Sequence, residues 1–138
     1  MTPQKQLLVC KETGDCMRAC IASMLDLPIT TVPNFMDKSD DYFNMLWNTL
    51  IEHGYSYVGH DDKPPYKYVQ ASEGIEGYFM AVVNSINYEG EVSEAGRPIT
   101  HAVVFKGLEF CFDPSPKATK QWSIDDVRYF YIIERSDV

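Results

Sequence analysis

The cysteines are the residues of this chain that most directly suggest chemistry. Cys10, Cys16 and Cys20 lie close together and Cys111 far downstream, so disulfides, a metal site and a thiolate nucleophile are all formally possible. The spacing C-x5-C-x3-C differs from the C-x2-C pairs of structural zinc sites, which disfavours zinc. We therefore expect neither a metal nor an organic cofactor, and we ask which thiol could act as a nucleophile.

Cys16 is placed where a thiol would gain from its backbone surroundings. A buried stripe at helical spacing follows it, formed by Met17, Cys20, Ile21, Met24 and Leu25. The helix should begin near Asp15, the expected N-cap, and stop before Pro28. A helix N-terminus carries roughly half a positive charge and unpaired N–H groups, which favour a thiolate and can hold an oxyanion beside it. From position alone, a small buried core residue is the alternative for Cys16.

His101 and Asp113 can complete a catalytic triad with this thiol. A three-residue hairpin loop at 106–108 would put His101 directly opposite Asp113, whereas a two-residue turn at Lys106-Gly107 would put Phe112 there instead. In the first register Asp113 would orient the ring, and His101 would accept the thiol proton and return it to the leaving group. The alternative is a structural His–Asp pair that fastens the hairpin.

Two helices and a later run of strands must position these residues. The second helix is predicted at 41–53, with Ser39 or Asp40 as its cap and Gly54 as its left-handed end. Its apolar positions, expected to be core, are Phe43, Leu46, Trp47, Leu50 and Ile51. Residues 55–76 read as a short strand with loops, 86–98 as an acidic loop and 123–127 as a helical turn. The predicted strands are 7–9, 78–83, 99–105, 109–112 and 129–133. Helices first and strands later predict an α+β fold with a mostly antiparallel sheet, in one domain over residues 1–138.

Composition narrows the class of function. Of the 138 residues, 45% are hydrophobic and 23% charged, which is typical of a packed globular protein. The net charge of -8 argues against binding of a nucleic-acid backbone. No apolar run approaches the ~18 residues of a membrane span, so no membrane association is expected. The first residues, MTPQKQLLV, lack the pattern of a signal peptide, so we expect a cytoplasmic protein with reduced thiols.

Several segments resemble one protein family. GDCMRACIASML at 14–25, with LP at 27–28 and VPNF at 32–35, resembles the nucleophile segment of small papain-like cysteine peptidases. The likeness is closest to bacteriocin-processing (double-glycine) peptidase domains and to compact phage-encoded papain-like proteins. THAVV at 100–104 and FDP at 112–114 resemble the family's His and Asp strands, and SIDD at 123–126 also fits. These segments cover about half of the chain, and 55–98 contains no matching motif.

The resemblance implies both a fold and an activity. The fold would be papain-like, with a nucleophile helix and a second helix packed on a mostly antiparallel sheet that carries the His and the Asp. The activity would be that of a cysteine peptidase, or a related amide hydrolase or acyl transferase, with Cys16 as nucleophile, His101 as base and Asp113 as orienter. Its substrate would be a protein or peptide cut at a peptide or isopeptide bond. The phage-encoded relatives suggest a host bacterial protein, met in the host cytoplasm.

One position departs from the family pattern. A Gln commonly stands six residues before the nucleophile and donates to the oxyanion, but here that position is Cys10, and a thiol is a weak donor. Cys10 and Cys16 therefore form the expected oxyanion region, while Gln6 and Gln4 lie four and six residues too early. This leaves a second hypothesis open: a catalytically weakened papain-like binding module that engages a host protein through its acidic surface.

Cys111 and Trp122 are the candidate pocket residues. In the register with the three-residue loop, Cys111 shares a face with His101 and Asp113. Trp122 could lie beside His101, as an aromatic residue does in many papain-like sites, or could pack against the last strand.

Overall fold

The computed structural model describes residues 1–7, 15–34, 42–85, 100–116, 118 and 120–136. Its helices are α1 (Cys16–Met24), α2 (Tyr42–Glu52) and α3 (Lys67–Ala71). Its strands are β1 (Tyr55–Asp61), β2 (Tyr78–Asn84), β3 (Thr100–Lys106), β4 (Glu109–Phe112) and β5 (Val127–Arg135). Short 3-10 turns lie at Ile29–Thr31 and Ile124–Asp126. The predicted α+β class is confirmed, and no helix of the described residues is long and apolar enough to cross a bilayer.

Some sequence predictions fall outside the described residues. These are most of the strand at 7–9, Cys10, the caps Ser39 and Asp40, and the acidic loop at 86–98.

The five strands form one antiparallel sheet in the order β1-β5-β2-β3-β4. The central strand β2 is the continuous apolar run of the sequence, and its five inner residues are buried, as a strand covered on both faces requires. Met80 and Val82 point into one core, while Phe79, Ala81 and Val83 point into the other. The sheet therefore separates two hydrophobic cores.

Helices α1 and α2 cover one face of the sheet. α1 packs on β2 and β3, and α2 packs on β1. Seven of the nine residues of α1 are buried, which explains the wide apolar stripe in its sequence. The other core is closed by α3 and by the segment that leads into β5, with Tyr66 and Trp122 as its buried aromatic residues.

The second helix only partly follows its predicted pattern. Leu46 and Leu50 are fully buried, and Gly54 has the expected positive φ of 85°. The expectation that the whole apolar face is core is wrong, because Phe43, Trp47 and Ile51 are 41%, 45% and 48% exposed. These three residues lie four apart along the helix and share one side of it, which the sheet covers only in part.

Neither of the two hairpin turns considered from the sequence is observed, and the register that pairs His101 with Asp113 is wrong. Lys106 pairs with Glu109, so the turn is the two residues Gly107-Leu108, with Gly107 at a φ of 59°. Beyond it Phe105 pairs with Phe110 but Val104 pairs with Phe112, which leaves Cys111 as the extra residue of a β-bulge. β4 ends at Phe112, and Asp113 is the first residue beyond the strand.

The region 55–76 is more ordered than its sequence predicts. β1 extends to Asp61, and its buried carboxylate accepts the N–H groups of Tyr68 and Val69 at 3.0 and 3.3 Å. Asp61 thereby supplies partners for N-terminal N–H groups of α3, a helix that the sequence pattern did not predict.

Gly74, which precedes β2, provides a test of the packing. A Cβ there would lie 2.5 Å from the Tyr78 carbonyl oxygen and 2.8 Å from the Phe79 ring, at a φ of 57°. We expect Gly74→Ala to lower the free energy of unfolding by roughly 3 kcal/mol, since left-handed strain and overpacking add. Gly107→Ala is the matched control, because it has a similar φ and no atom within 4 Å, and should cost about 1 kcal/mol. Equal costs in urea denaturation would contradict this account.

Candidate active site

The first turn of α1 leaves its backbone donors to the thiol. Asp15 occupies the N-cap position, but its side chain makes no capping hydrogen bond. Its buried carboxylate instead accepts the Leu7 N–H at 3.2 Å and lies 3.5 Å from Arg18 Nη1. A capping carboxylate would take the N–H of the second or third helical residue, and the second is Met17. Here the Met17 N–H instead favours the charged form of Cys16 and helps to lower the pKa of that thiol.

The three predicted residues come together at the end of the sheet. His101, the second residue of β3, donates from Nε2 to Asp113 Oδ1 at 2.6 Å. The Cys16 side chain also hydrogen-bonds to the His101 ring, and since Nε2 is engaged by Asp113, Nδ1 is the nitrogen that remains for the sulfur. The Ala102 N–H points at the Cys16 sulfur from 3.4 Å. The arrangement is thiol, imidazole and carboxylate in series.

The charges of this series stabilise one another. Burial alone would raise the pKa of the Cys16 thiol, but the hydrogen bond and charge of His101, with the N–H groups of Ala102 and Met17, lower it from its ordinary value. Burial alone would lower the pKa of His101, but its bonds to Asp113 and Cys16 raise it to about 10. The lowered pKa of the thiol and the raised pKa of the imidazole both favour a thiolate–imidazolium pair, which is the nucleophilic form of a cysteine.

Asp113 is held by three N–H donors from three segments. Besides His101, Trp122 Nε1 donates to Oδ2 at 2.9 Å and the Ser115 N–H donates to Oδ1 at 2.9 Å. Burial would raise the pKa of this carboxyl, but His101, Trp122 and Ser115 together lower it, so Asp113 stays ionised. Trp122 is buried and acts on the site through Asp113.

The first residues of the chain run alongside this loop. The Gln6 N–H donates to the Pro114 oxygen at 2.8 Å, and Lys5 Nζ donates to the Asp113 and Ser115 carbonyl oxygens at 3.0 and 3.1 Å. Gln6 therefore lies between the Asp113 loop and the start of α1.

Gln4 points elsewhere. Its side-chain amide is bonded to the backbone of Leu27 and Ile29, beyond the far end of α1. It is thus committed to a structural role.

The remaining cysteines differ from Cys16 in electrostatics. Cys20 is fully buried, and burial raises its pKa well above the ordinary value. Cys111 is exposed on β4, and burial of its sulfur raises its pKa as well. Cys16 is the one cysteine of the described residues whose pKa is lowered. Cys10 lies outside the described residues, so its place in an oxyanion region stays a prediction, as does Cys111 as a pocket residue.

Two contributors to the site were not found from the sequence. The backbone groups of Ala102 and Ser115 carry no side-chain signal, although they lie one and two residues from His101 and Asp113. Gln6, ten residues before Cys16 in the sequence, is brought near the Asp113 loop by its contact with Pro114.

The described residues contain no group of three or more His, Cys, Asp or Glu side chains arranged to hold a metal ion. Comparisons with protein-family models, curated proteins and solved structures found no match for this chain. The site must therefore be interpreted from its own geometry.

Replacement of Asp113 tests the electrostatic account. In Asp113→Asn the carboxylate charge is lost, so the pKa of His101 should fall and that of Cys16 should rise. Alkylation of Cys16 by iodoacetamide, followed against pH with peptide mapping, should shift its midpoint upward by ~1 unit, a tenfold loss of rate on the acidic side. Asp125→Asn, which removes the same charge from an exposed position, is the control. Equal midpoints in the two variants would contradict a role for Asp113.

Proposed function

We propose that this chain is a cysteine hydrolase that cleaves amide bonds through a thioester on Cys16. The observation that carries the proposal is the thiol of lowered pKa, bonded to an imidazole whose second nitrogen is held by a carboxylate. A structural His–Asp pair would account for His101 and Asp113 alone. It would not account for the bond to Cys16, the two backbone N–H groups on the sulfur, or the partial exposure of Cys16.

The first half of the reaction follows from this arrangement. The Cys16 thiolate attacks the carbonyl carbon, and a sulfur–carbon bond forms as the carbonyl oxygen becomes an oxyanion. The intermediate collapses with cleavage of the carbon–nitrogen bond, and the leaving amine takes the proton that His101 holds on Nδ1. The product amine departs, and the acyl group remains on sulfur.

The second half restores the enzyme. His101, now neutral, accepts a proton from water, whose oxygen attacks the thioester carbonyl. The carbon–sulfur bond then breaks, the acid is released, and the thiolate–imidazolium pair forms again. Asp113 keeps its charge throughout and holds the ring in the tautomer that presents Nδ1 to the sulfur.

A papain-like relationship is supported by topology as well as by the motifs. A helix carries the thiol at its first residue, and an antiparallel sheet carries the imidazole on a strand and the carboxylate just beyond the next one. We propose a peptide or isopeptide bond of a protein as the substrate, and the same residues would serve acyl transfer or deamidation.

We further propose Gln6 as the side chain that donates to the oxyanion. The family pattern calls for an amide donor, and Cys10 stands at its usual position. Gln6 is bonded through its backbone to Pro114, next to Asp113, and is followed by Leu7, which is bonded to Asp15 next to Cys16. The side chain of Gln4 is committed to Leu27 and Ile29.

Turnover of p-nitrophenyl acetate tests the hydrolase proposal. We expect acetylation of Cys16, then hydrolysis, so that nitrophenolate is released beyond one equivalent of enzyme. His101→Ala should lower this turnover by ~10²–10⁴, the range for loss of a general acid–base group. His53→Ala is the matched control, because that ring is bonded to the Thr49 oxygen at the end of α2.

Two results would contradict the hydrolase proposal. One is an acetyl group that stays on Cys16 without hydrolysis, as the binding-module hypothesis predicts. The other is equal turnover in His101→Ala and in the wild type.

The role of Gln6 has its own test. Gln6→Met keeps the side chain's length and removes its donor, so acylation by p-nitrophenyl acetate should fall by ~10²–10³. The pH midpoint of Cys16 alkylation should stay in place, since the thiolate has other partners. Gln4→Met is the comparison and should lower thermal stability rather than the acylation rate. An unchanged rate in Gln6→Met would exclude Gln6 as the donor.

A further inference from the structure

Five ring side chains form a continuous row on the face of the sheet that carries α1 and α2. Its members, from the catalytic end outward, are Tyr129, Tyr131, His60, Tyr57 and Phe43. Along this path consecutive ring centroids lie 5.7, 4.9, 5.5 and 5.8 Å apart, and Tyr129 also lies 4.7 Å from His60. We call this set the aromatic row. Such spacing is typical of rings in direct contact.

The inner end of the aromatic row lies on the same face of the sheet as the nucleophile. Tyr129 and Cys16 are both partly buried against the same core. Tyr129 pairs with Val82, Val82 pairs with Ala102, and the Ala102 N–H points at the Cys16 sulfur from 3.4 Å. Tyr129 thus lies roughly 10 Å from Ala102, two strands across the sheet, within the span of a peptide attached to the sulfur.

The position of the aromatic row relative to His101 indicates which side of the scissile bond it would bind. Asp113 and Cys16 bind opposite nitrogens of His101, and Asp113 follows β4, the edge strand on the far side of β3. The sulfur therefore lies on the side of the ring that faces β2, β5 and β1, where the aromatic row begins. Since His101 protonates the leaving amine, the leaving group lies near the ring and the acyl part extends away from it, toward Tyr129.

The outer end of the aromatic row is accessible. Phe43 is 41% exposed, His60 is exposed, and Tyr57 is partly exposed. The His60 ring is bonded to the Tyr57 hydroxyl, and burial lowers the pKa of His60, although the charge of Asp62 opposes this. The rings themselves are therefore uncharged at neutral pH, which suits apolar side chains of a substrate.

We propose that the aromatic row binds the acyl side of the substrate, and that the substrate is a polypeptide with aromatic or large aliphatic side chains in the residues before the scissile bond. An extended chain advances ~3.3–3.6 Å per residue, so about four residues would span the row. This inference rests on the proposed function and gives that site its specificity: Tyr129 nearest the bond, then His60, with Phe43 as the outermost contact.

Peptidyl acyloxymethyl ketones test the proposal, because their peptide occupies the acyl side. The thiolate forms a sulfur–carbon bond to the methylene group as the carbon–oxygen bond to the carboxylate leaving group breaks. We compare acetyl-Phe-Ser-Phe-Gly and acetyl-Ser-Ser-Ser-Gly ketones, each as a ratio to the iodoacetamide rate of the same protein. The ratio cancels any change in the thiolate itself.

The wild type should react at least ~10-fold faster with the Phe reagent, since each ring contact contributes about 0.5–1.5 kcal/mol. His60→Ser and Phe43→Ser should each reduce that preference by about 2- to 10-fold. Tyr68→Ser is the control, because it removes an exposed aromatic side chain of α3, which lies on the other face of the sheet.

Three results would overturn the proposed role of the aromatic row. Two of them would leave the hydrolase proposal intact, and the third would overturn it as well. Rapid iodoacetamide labelling of Cys16 without a preference for Phe would exclude the aromatic row and leave the hydrolase intact. An equal loss of preference in Phe43→Ser, His60→Ser and Tyr68→Ser would do the same. If iodoacetamide labelled Cys16 no faster than Cys111, the hydrolase proposal would be excluded. The role of the aromatic row, which depends on it, would then be excluded as well.

Discussion

The Asp113 carboxylate is the interaction on which the rest of the site depends. A buried carboxylate costs several kcal/mol unless its oxygens are hydrogen-bonded. Here the donors come from β3 through His101, from the following loop through Ser115, and from the approach to β5 through Trp122. Because each donor belongs to a different segment, the ionised carboxylate holds all three in place. The orientation of His101 therefore depends on how β3, the loop after β4 and the segment before β5 pack around Asp113.

That constraint extends through His101 to the thiol. The His101 ring lies between Cys16 and Asp113, and its hydrogen bonds to both raise its pKa. Burial opposes the charge on all three groups, so each charge is favoured only through its neighbours and, at the sulfur, through backbone N–H groups. The Asp15 carboxylate contacts Arg18 and Leu7 and does not cap α1. The Met17 N–H is therefore left to favour the charged form of Cys16.

The sequence predicts those features that depend on local pattern. Helices α1 and α2, strand β4 and the turn at Ile124–Asp126 follow from periodicity, Pro and Gly. The partnership of His101 with Asp113 was predicted from a hairpin register that is wrong, and it forms from a position just beyond the end of β4. The register prediction failed first at the turn, which is Gly107-Leu108, and again at the bulge at Cys111, which depends on the packing of both strands. Helix α3 was missed because its N–H partners come from Asp61, outside the helix. Trp47 was predicted to be buried but is partly exposed. Apolar spacing identifies one face of a helix, but it does not indicate how much of that face the sheet covers.

The end of the sheet is the place where such a site can form. By alternation His101 belongs with Val103 and Phe105, on the face opposite α1, whereas Ala102 faces α1. His101 is the second residue of β3, close to the end of the strand. At this position a side chain from the face opposite α1 can meet the thiol that α1 carries and still reach Asp113 and Trp122. Val103, two residues further in, is fully buried in the opposite core. The same end of the sheet carries Tyr129 on β5 and His60 on β1, so the proposed catalytic and binding groups lie along one line across the strands.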